Sequence, residues 1–167
     1  SIHTLLGPER GEHLFEHGFS VPGALSILPS TTVAAWASVY TGQPPARTGV
    51  PGNEWFARDE VRFYAPAPVS VNAKEDVLHT FTDGLVGKAL KVPTLFELAD
   101  VRAFVSLAHV YRGADLFTTP EPHAAADLLV DFARGLVGAP DVERETYAEL
   151  DSSSVEHVLK TLREHGV

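Results

Sequence analysis

Residues 28–42 read LPSTTVAAWASVYTG, and this stretch decides how the surrounding chain folds. It continues an apolar run that begins at residue 24, passes through Pro29 and three hydroxyl residues, and then contains no helix breaker before Gly42. Such a succession predicts a strand, a turn and a helix. We therefore expect a strand near residues 22–28, followed by a helix that ends at Gly42.

The hydroxyl cluster of Ser30, Thr31 and Thr32 admits two interpretations. The start of a helix presents unpaired backbone N–H groups and the positive end of the helix dipole, which stabilise a phosphate or a developing alkoxide. Ser and Thr are also preferred N-cap residues, so the same side chains could simply cap the helix. In this window alone, capping is the more common explanation.

The run from residue 28 to residue 55 resembles the alkaline-phosphatase superfamily, specifically its type I phosphodiesterase/nucleotide pyrophosphatase branch. That branch carries a Pro-x-x-Thr turn, a helix ending in Thr-Gly, a Pro-rich loop and then Gly-x-x-x-Asn. The matching residues here are Pro29 to Thr32, Thr41-Gly42, Pro44-Pro45 and Gly49 to Asn53. Two departures occur: Pro-Asn-His after the nucleophile is Ala34-Ala35-Trp36 here, and His-Gly after the loop is Thr48-Gly49.

The resemblance implies a chemistry based on Thr32 and two divalent metal ions, commonly zinc. Thr32 takes the position of the nucleophile, which attacks phosphorus and forms a phosphothreonine or nucleotidyl-threonine that water releases. Asn53 takes the position of an asparagine that holds a phosphate oxygen, and the Val33 backbone N–H is a second donor. The metals would lower the pKa of the bound Thr32 hydroxyl and stabilise the leaving oxygen.

The family's Asp and His metal ligands have no counterparts in this sequence, apart from the Thr32 oxygen itself. The first family aspartate ends an apolar strand before the nucleophile, whereas the only acids in residues 1–19 are Glu9, Glu12 and Glu16. Asp127 and Asp131 lack a following histidine at suitable spacing. We therefore expect residues 1–167 to be the N-terminal part of a single alkaline-phosphatase-like catalytic domain, with the missing ligands outside them.

Three other sets of residues are candidates for a metal or substrate role. Eight histidines are scattered along the chain, and only His13 and His17 have a spacing that could share a helix face; surface positions are the more common explanation. Arg112 lies at a predicted strand end, where ligands gather in α/β folds, although a structural salt bridge is more common. Several aromatic residues could form a clamp for a nucleobase, although they could equally belong to ordinary packing. These residues are Trp36, Trp55, Phe56, Phe63 and Tyr64.

Strands that alternate with helices indicate an α/β fold. The resemblance implies an alkaline-phosphatase-like sandwich, with helices on both faces of a central, mostly parallel sheet. A looser resemblance to bacterial members continues at residues 92–99 and 111–115. The further elements expected are a long Pro-rich connection or lid at 43–91, a helix at 93–99, a strand at 101–110, a helix at 122–134, and a helix at 155–162 capped by the run from Asp151 to Ser154.

Composition excludes several classes of protein. The chain has 167 residues, 44% hydrophobic and 21% charged, which is typical of one folded domain. No apolar run approaches the roughly 20 residues of a spanning helix. A net charge of −9 argues against a nucleic-acid-binding scaffold, and the absence of cysteine excludes disulfides and the commonest precursor of a sulfatase nucleophile.

The compartment stays open: family members are often periplasmic or extracellular, and no signal peptide is visible.

The leading hypothesis is metal-dependent hydrolysis of phosphodiester or pyrophosphate bonds through a phosphothreonine, with a small phosphate ester or nucleotide as substrate. One alternative is a phosphate monoesterase of the same superfamily, which would bind the dianion with an added cation such as Arg112. Another is a non-catalytic binding module that retains the turn but lacks its metals.

Overall fold

The computed structural model describes residues 23–71, 73–119 and 142–165. The helix predicted at 122–134 and the acidic and histidine candidates at positions 9 to 17 and 127 to 131 lie outside these ranges. The elements in chain order are α1 (Thr32–Thr41), α2 (Pro45–Thr48), β1 (Trp55–Ala57), β2 (Arg62–Tyr64), α3 (Lys74–Thr82), α4 (Leu85–Ala89), α5 (Leu95–Leu98), β3 (Phe104–Ser106), β4 (Leu116–Thr118) and α6 (Val142–His165).

Helix α1 confirms the prediction made from the hydroxyl cluster and Gly42. It starts at Thr32 and stops where Gly42 adopts the left-handed conformation, with φ 64°. The Gly42 N–H donates to the Ser38 carbonyl at 2.8 Å and so satisfies one of the last free carbonyls of the helix. Helix α5 confirms the helix predicted at 93–99, and it begins with a capping box formed by Thr94 and Glu97.

The described strands form two small sheets. β1 and β2 pair antiparallel, with Trp55 opposite Tyr64, and β3 and β4 pair parallel, with Phe104 opposite Leu116. This mixture of helices with a small parallel sheet is compatible with an α/β fold. The full sandwich stays a prediction, as does the assignment of residues 43–91 to a lid; that segment holds α2 to α4 and the β1–β2 hairpin.

The strand predicted at 22–28 is wrong for the residues that the structure describes. Residues 23–28 form no strand, and Leu25 and Leu28 are 96% and 92% exposed. An apolar run becomes a strand only where a neighbour supplies backbone hydrogen bonds, and neither described sheet reaches this segment. The strand predicted at 101–110 shortens to β3, whose partner β4 was not predicted.

The helix start predicted at Asp151 is also wrong. Helix α6 runs without interruption from Val142, so Asp151 lies inside it rather than at its cap. The preceding segment is rich in Glu, Arg, Ala and Leu, which favour helix and carry it through the serines. No helix in the described part of the chain is long and apolar enough to cross a membrane.

One hydrophobic cluster holds α1 against the rest of the described chain. Val33 and Ala37 on the inner face of α1 are fully buried with Val50, Val86 and Val110. Val50 precedes the loop that carries Asn53, so the start of α1 and this loop share one core. A second cluster joins Val77 and Phe81 of α3 to residues near β3 and β4.

Arg112 ties the segment between α4 and α5 to the loop after β3. Its Nε and Nη2 both donate to Glu97 Oε2 at 3.0 Å, and its Nη1 donates to the carbonyls of Gly87 at 2.8 Å and Leu90 at 2.9 Å. Nη2 also donates to the Val92 carbonyl. A guanidinium has five N–H donors, so every donor of Arg112 is engaged. The structural salt bridge, one of the two interpretations of Arg112, is therefore observed.

The substitution Arg112→Lys should lower the free energy of unfolding by about 2–3 kcal/mol, because an ammonium cannot replace a five-donor fork and leaves carbonyls of buried residues unpaired. Urea unfolding measures the effect. Arg62→Lys is the matched control: Arg62 is half-exposed and pairs with Asp76 at 3.2 Å, so its loss should stay below about 1 kcal/mol. Equal losses in the two variants would contradict a special role for Arg112.

Candidate functional site

The two adjacent threonines at the start of α1 occupy different environments. Thr31 is the N-cap residue, with extended backbone (φ −89°, ψ 151°), and its side chain makes no capping hydrogen bond. Its Oγ1 is buried, has no hydrogen-bond partner among the described residues, and lies beside Gly52. Thr32, the first helical residue, is exposed. Thr32 is therefore the one of the two whose side chain a substrate can reach.

Asn53 caps α1 from a distant point in the sequence. Its Oδ1 accepts the Val33 N–H at 2.9 Å across a separation of 20 residues. Val33 is the second helical residue, whose N–H a local N-cap side chain usually binds. Local capping, one of the two interpretations of the hydroxyl cluster, is therefore wrong: the Thr31 side chain makes no capping hydrogen bond, and Asn53 supplies a tertiary cap.

This hydrogen bond also fixes the orientation of the Asn53 amide. A backbone N–H can only donate, so Oδ1 must face Val33 and Nδ2 must point elsewhere. Nδ2 donates to no group in the described part of the chain, so neither of its two N–H donors has a partner there. The structure thus brings together the three residues predicted as a site, Thr32, Val33 and Asn53, with the Val33 N–H already bound to Asn53.

The loop that carries Asn53 is anchored on both sides. Gly52 before it is buried, and Glu54 after it accepts hydrogen bonds from the Ser70 N–H at 2.7 Å, the Ser70 hydroxyl at 2.6 Å and the Val69 N–H. Burial raises the pKa of Glu54, but these hydrogen bonds outweigh it and the pKa is lowered, so the carboxylate stays charged. Asn53 is consequently held in place without help from a ligand.

The aromatic residues considered for a nucleobase clamp do not form a single cluster. Trp55 stacks on buried Tyr64, with ring centroids 4.9 Å apart, whereas Phe56 and Phe63 are exposed on the hairpin. Trp36 belongs to a separate row on α1, which sequence reasoning missed. The signal was present in the four-residue spacing of Thr32, Trp36 and Tyr40, which places all three on one helix face.

The described residues do not fit the two-metal site that the family resemblance implies. Within residues 23–71, 73–119 and 142–165, no three His, Asp or Glu side chains converge in a way that could hold a metal ion. His109 packs against the Phe81 ring, and burial lowers the pKa of its imidazole to about 4, so it stays neutral near pH 7. Arg112 is committed to Glu97 and three carbonyls, and so it does not supply a cation to the start of α1.

Comparison with known proteins agrees with the geometry at the start of α1. Residues 12–100, just over half of the chain, match the family model for type I phosphodiesterase/nucleotide pyrophosphatase. The match contains α1, Asn53 and α5, whereas the looser resemblance at 111–115 lies beyond it. No curated protein and no solved structure matches the chain. Because the family model covers this much of the sequence, the chain belongs to the type I phosphodiesterase/nucleotide pyrophosphatase family, a family of hydrolases.

Proposed function

We propose that this chain carries the nucleophile part of a hydrolase that cleaves phosphodiester or pyrophosphate bonds through a covalent phosphothreonine at Thr32. One observation carries the proposal: an exposed Thr32 begins α1 next to an asparagine whose oxygen is fixed by the helix and whose amide donors have no partner among the described residues. That arrangement offers a nucleophile and an oriented donor for a phosphate oxygen in one place.

The residues have separate tasks in binding the substrate. Asn53 Nδ2 donates to a non-bridging phosphate oxygen and adds no charge of its own. The N-terminal end of α1 contributes the positive end of the helix dipole, which favours an anion at this position. The Val33 N–H serves chiefly through Asn53, since its hydrogen bond orients the amide; it reaches a phosphate oxygen itself only if it exchanges partners.

Two displacements complete the reaction. The Thr32 oxygen forms a bond to phosphorus while the bond from phosphorus to the leaving oxygen breaks. The Thr32 hydroxyl gives its proton to water, and the leaving oxygen departs either as an alcohol, after it takes a proton from water, or as a phosphate. Water then attacks the phosphothreonine, restores the Thr32 hydroxyl and releases the second product. Charge that develops on the non-bridging oxygens meets a donor that is already in place, which is the condition for electrostatic stabilisation.

Dependence on two divalent cations, most simply zinc, is part of the proposal. A threonine hydroxyl is a weak nucleophile at its ordinary pKa, and a bound metal lowers that pKa. Apart from the Thr32 oxygen, we assign no metal ligand among the described residues. The steps above therefore state only what the residues of this chain do.

A diester or pyrophosphate substrate is favoured over a monoester by the state of Arg112. A monoesterase would need an additional cation against the dianionic phosphate, and Arg112 was the candidate for that role. All five of its donors are engaged in the fold, as described above. A substrate with one negative charge at phosphorus fits a site whose observed donor is a neutral amide.

The substitution Thr32→Ala should lower turnover of bis-p-nitrophenyl phosphate in zinc-supplemented buffer by at least about 10³-fold, because the attacking oxygen is lost. Thr31→Val is the matched control: it removes the neighbouring hydroxyl, which is enclosed and unpaired, and should keep turnover within about threefold. Mass spectrometry of acid-quenched wild-type protein should detect a p-nitrophenylphosphoryl group on Thr32, because one p-nitrophenyl ester stays on phosphorus after the first displacement. Equal rates in wild type and Thr32→Ala would overturn the assignment, and a folded but inactive wild type would favour the binding module.

Two substitutions at Asn53 should separate its capping role from its phosphate role. Asn53→Ala removes the cap and should cost about 1 kcal/mol of stability. Asn53→Asp keeps an acceptor at the positive end of α1 and should remain within about 0.5 kcal/mol of wild type. Both should lose about 10²–10³-fold in kcat, because neither carries the amide donor. The proposal fails at this residue if Asn53→Asp retains wild-type turnover in parallel urea and activity measurements.

Removal of metal should abolish the activity of the wild-type chain. After dialysis against a chelator, turnover of the same diester should fall to the Thr32→Ala level, and added zinc should restore it in wild type but not in the variant. Metal content measured by elemental analysis gives the number of ions bound. Full activity in a sample shown to be metal-free would contradict the metal dependence while leaving the test of Thr32 intact.

A further inference from the structure

The segment that binds the Asn53 loop alternates proline with residues that keep a backbone N–H. Residues 65–70 read APAPVS, and this stretch is called the proline segment below. Its two prolines have no N–H to donate. Each of the other four N–H groups has an acceptor: Ala65 donates to Asp76 Oδ2 at 2.8 Å, Ala67 to the Asn53 carbonyl at 3.4 Å, Ser70 to Glu54 at 2.7 Å, and Val69 also to Glu54. Three of these four donors therefore bind Asn53 or its neighbour Glu54.

Glu54 supplies most of this attachment. Its Oε1 accepts the N–H groups of Val69 and Ser70, and its Oε2 accepts the Ser70 hydroxyl at 2.6 Å. Hydrogen bonds to a carboxylate are stronger than those between neutral groups. The contact between the Ala67 N–H and the Asn53 carbonyl is neutral and long, so it is weak by itself. Without the Glu54 carboxylate, this weak bond would be the attachment that remains between the proline segment and Asn53.

Glu54 also restricts how Asn53 can turn. The two residues share a peptide group, so a carboxylate that is fixed on one of them restrains the backbone of the other. Asn53 is held at three points: Oδ1 on the Val33 N–H, its carbonyl on Ala67, and the next side chain on the proline segment. The direction of the Asn53 Nδ2, which has no partner among the described residues, follows from these three points.

The hydrogen bonds of the Glu54 carboxylate run toward the proline segment. Those described above all end on Val69 or Ser70, and within the described part of the chain no hydrogen bond joins Glu54 to Thr32. The carboxylate is therefore placed to hold the chain rather than to take the proton of the Thr32 hydroxyl.

We propose that Glu54 is a positioning residue of the reaction: it holds the proline segment against Asn53 and so keeps the Asn53 amide donor at the phosphate oxygen. The inference rests on the proposed function, since it needs Asn53 to bind that oxygen. A misplacement of about 1 Å can cost a reaction about 10²-fold in rate. The role depends on the geometry of the two acceptor atoms of Glu54 and not on its charge.

Three substitutions at Glu54 separate geometry from charge. Glu54→Ala removes all three hydrogen bonds and should lower kcat for bis-p-nitrophenyl phosphate in zinc-supplemented buffer by about tenfold, with KM changed by less than about threefold, because the donor acts on charge that develops in the transition state. Glu54→Gln has no charge, but its amide oxygen can accept both N–H groups and its NH₂ can donate to the Ser70 hydroxyl oxygen. It should keep kcat within about twofold of wild type. Glu54→Asp keeps the charge but is one methylene shorter, and it should lower kcat about fivefold.

Asp115→Ala is the matched control. The exposed Asp115 carboxylate, just before β4, also accepts a backbone N–H, from Ala103 at 2.7 Å. Its loss removes a hydrogen bond of the same type but leaves the proline segment intact, so kcat should stay within about twofold of wild type. Urea unfolding of every variant establishes that the comparison is made on folded protein.

Hydrogen exchange of the Val33 amide is a second measurement, which needs neither metal nor turnover. The Val33 N–H is bound to Asn53 Oδ1, so a looser Asn53 should raise its exchange rate. We expect exchange about tenfold faster in Glu54→Ala and within about twofold of wild type in Glu54→Gln and Asp115→Ala. Should Glu54→Ala fail to fold, Glu54→Asp takes its place in both measurements.

The outcomes separate the inference from the function on which it rests. Lower kcat and faster Val33 exchange in Glu54→Ala, with both retained in Glu54→Gln, support the proposal. Unchanged kcat or unchanged exchange in folded Glu54→Ala overturns it, and so does an equal effect of Asp115→Ala. A kcat that Glu54→Asp retains and Glu54→Gln loses also overturns it, because charge would then matter; Thr32-dependent hydrolysis stands in each of these cases. Absence of Thr32-dependent hydrolysis in wild type overturns the proposed function, and the inference falls with it.

Discussion

The hydrogen bond between the Val33 N–H and Asn53 Oδ1 is the constraint on which the rest of the site depends. Without it, the first turn of α1 would have an N-cap residue that caps nothing, since Thr31 leaves the free N–H groups unserved. With it, the loop after α2 is attached to the helix start at the same end where Val33 and Val50 share a core. One polar contact and one apolar contact together place the two parts of the site relative to each other.

The Arg112 guanidinium orders the backbone of the described chain and does not lie at the start of α1. It donates to the carbonyls of Gly87, Leu90 and Val92, and it also donates to Glu97, which belongs to the capping box of α5. Backbone carbonyls in such an irregular segment must find donors somewhere, and a five-donor fork supplies several at once. Charge that could have served substrate binding is used to order the chain.

The helix ends that depend on residues close together in the sequence were predicted from the sequence. The end of α1 follows from Gly42, and the start of α5 follows from Thr94 and Glu97, because caps and glycine act within a few residues. The strand expected at 22–28 depended on a pairing partner that a sequence window does not contain, whereas the cap expected at Asp151 failed because the helix-favouring residues before it extend the helix back to Val142. In the same way, the resemblance could associate Thr32 with Asn53, but that Asn53 caps α1 follows only from the folded chain.

Under the proposed function, the tertiary cap also bears on the energetics of each catalytic cycle. A free asparagine amide can rotate and present either its oxygen or its nitrogen, and a ligand that requires one orientation must restrict that rotation when it binds. In this chain the oxygen is tied to the helix, so the restriction of the side chain is completed once, during folding. On the proposal that Asn53 binds a phosphate oxygen, every later encounter meets the nitrogen already turned outward, and the entropic penalty of orienting the donor is absent from the binding step.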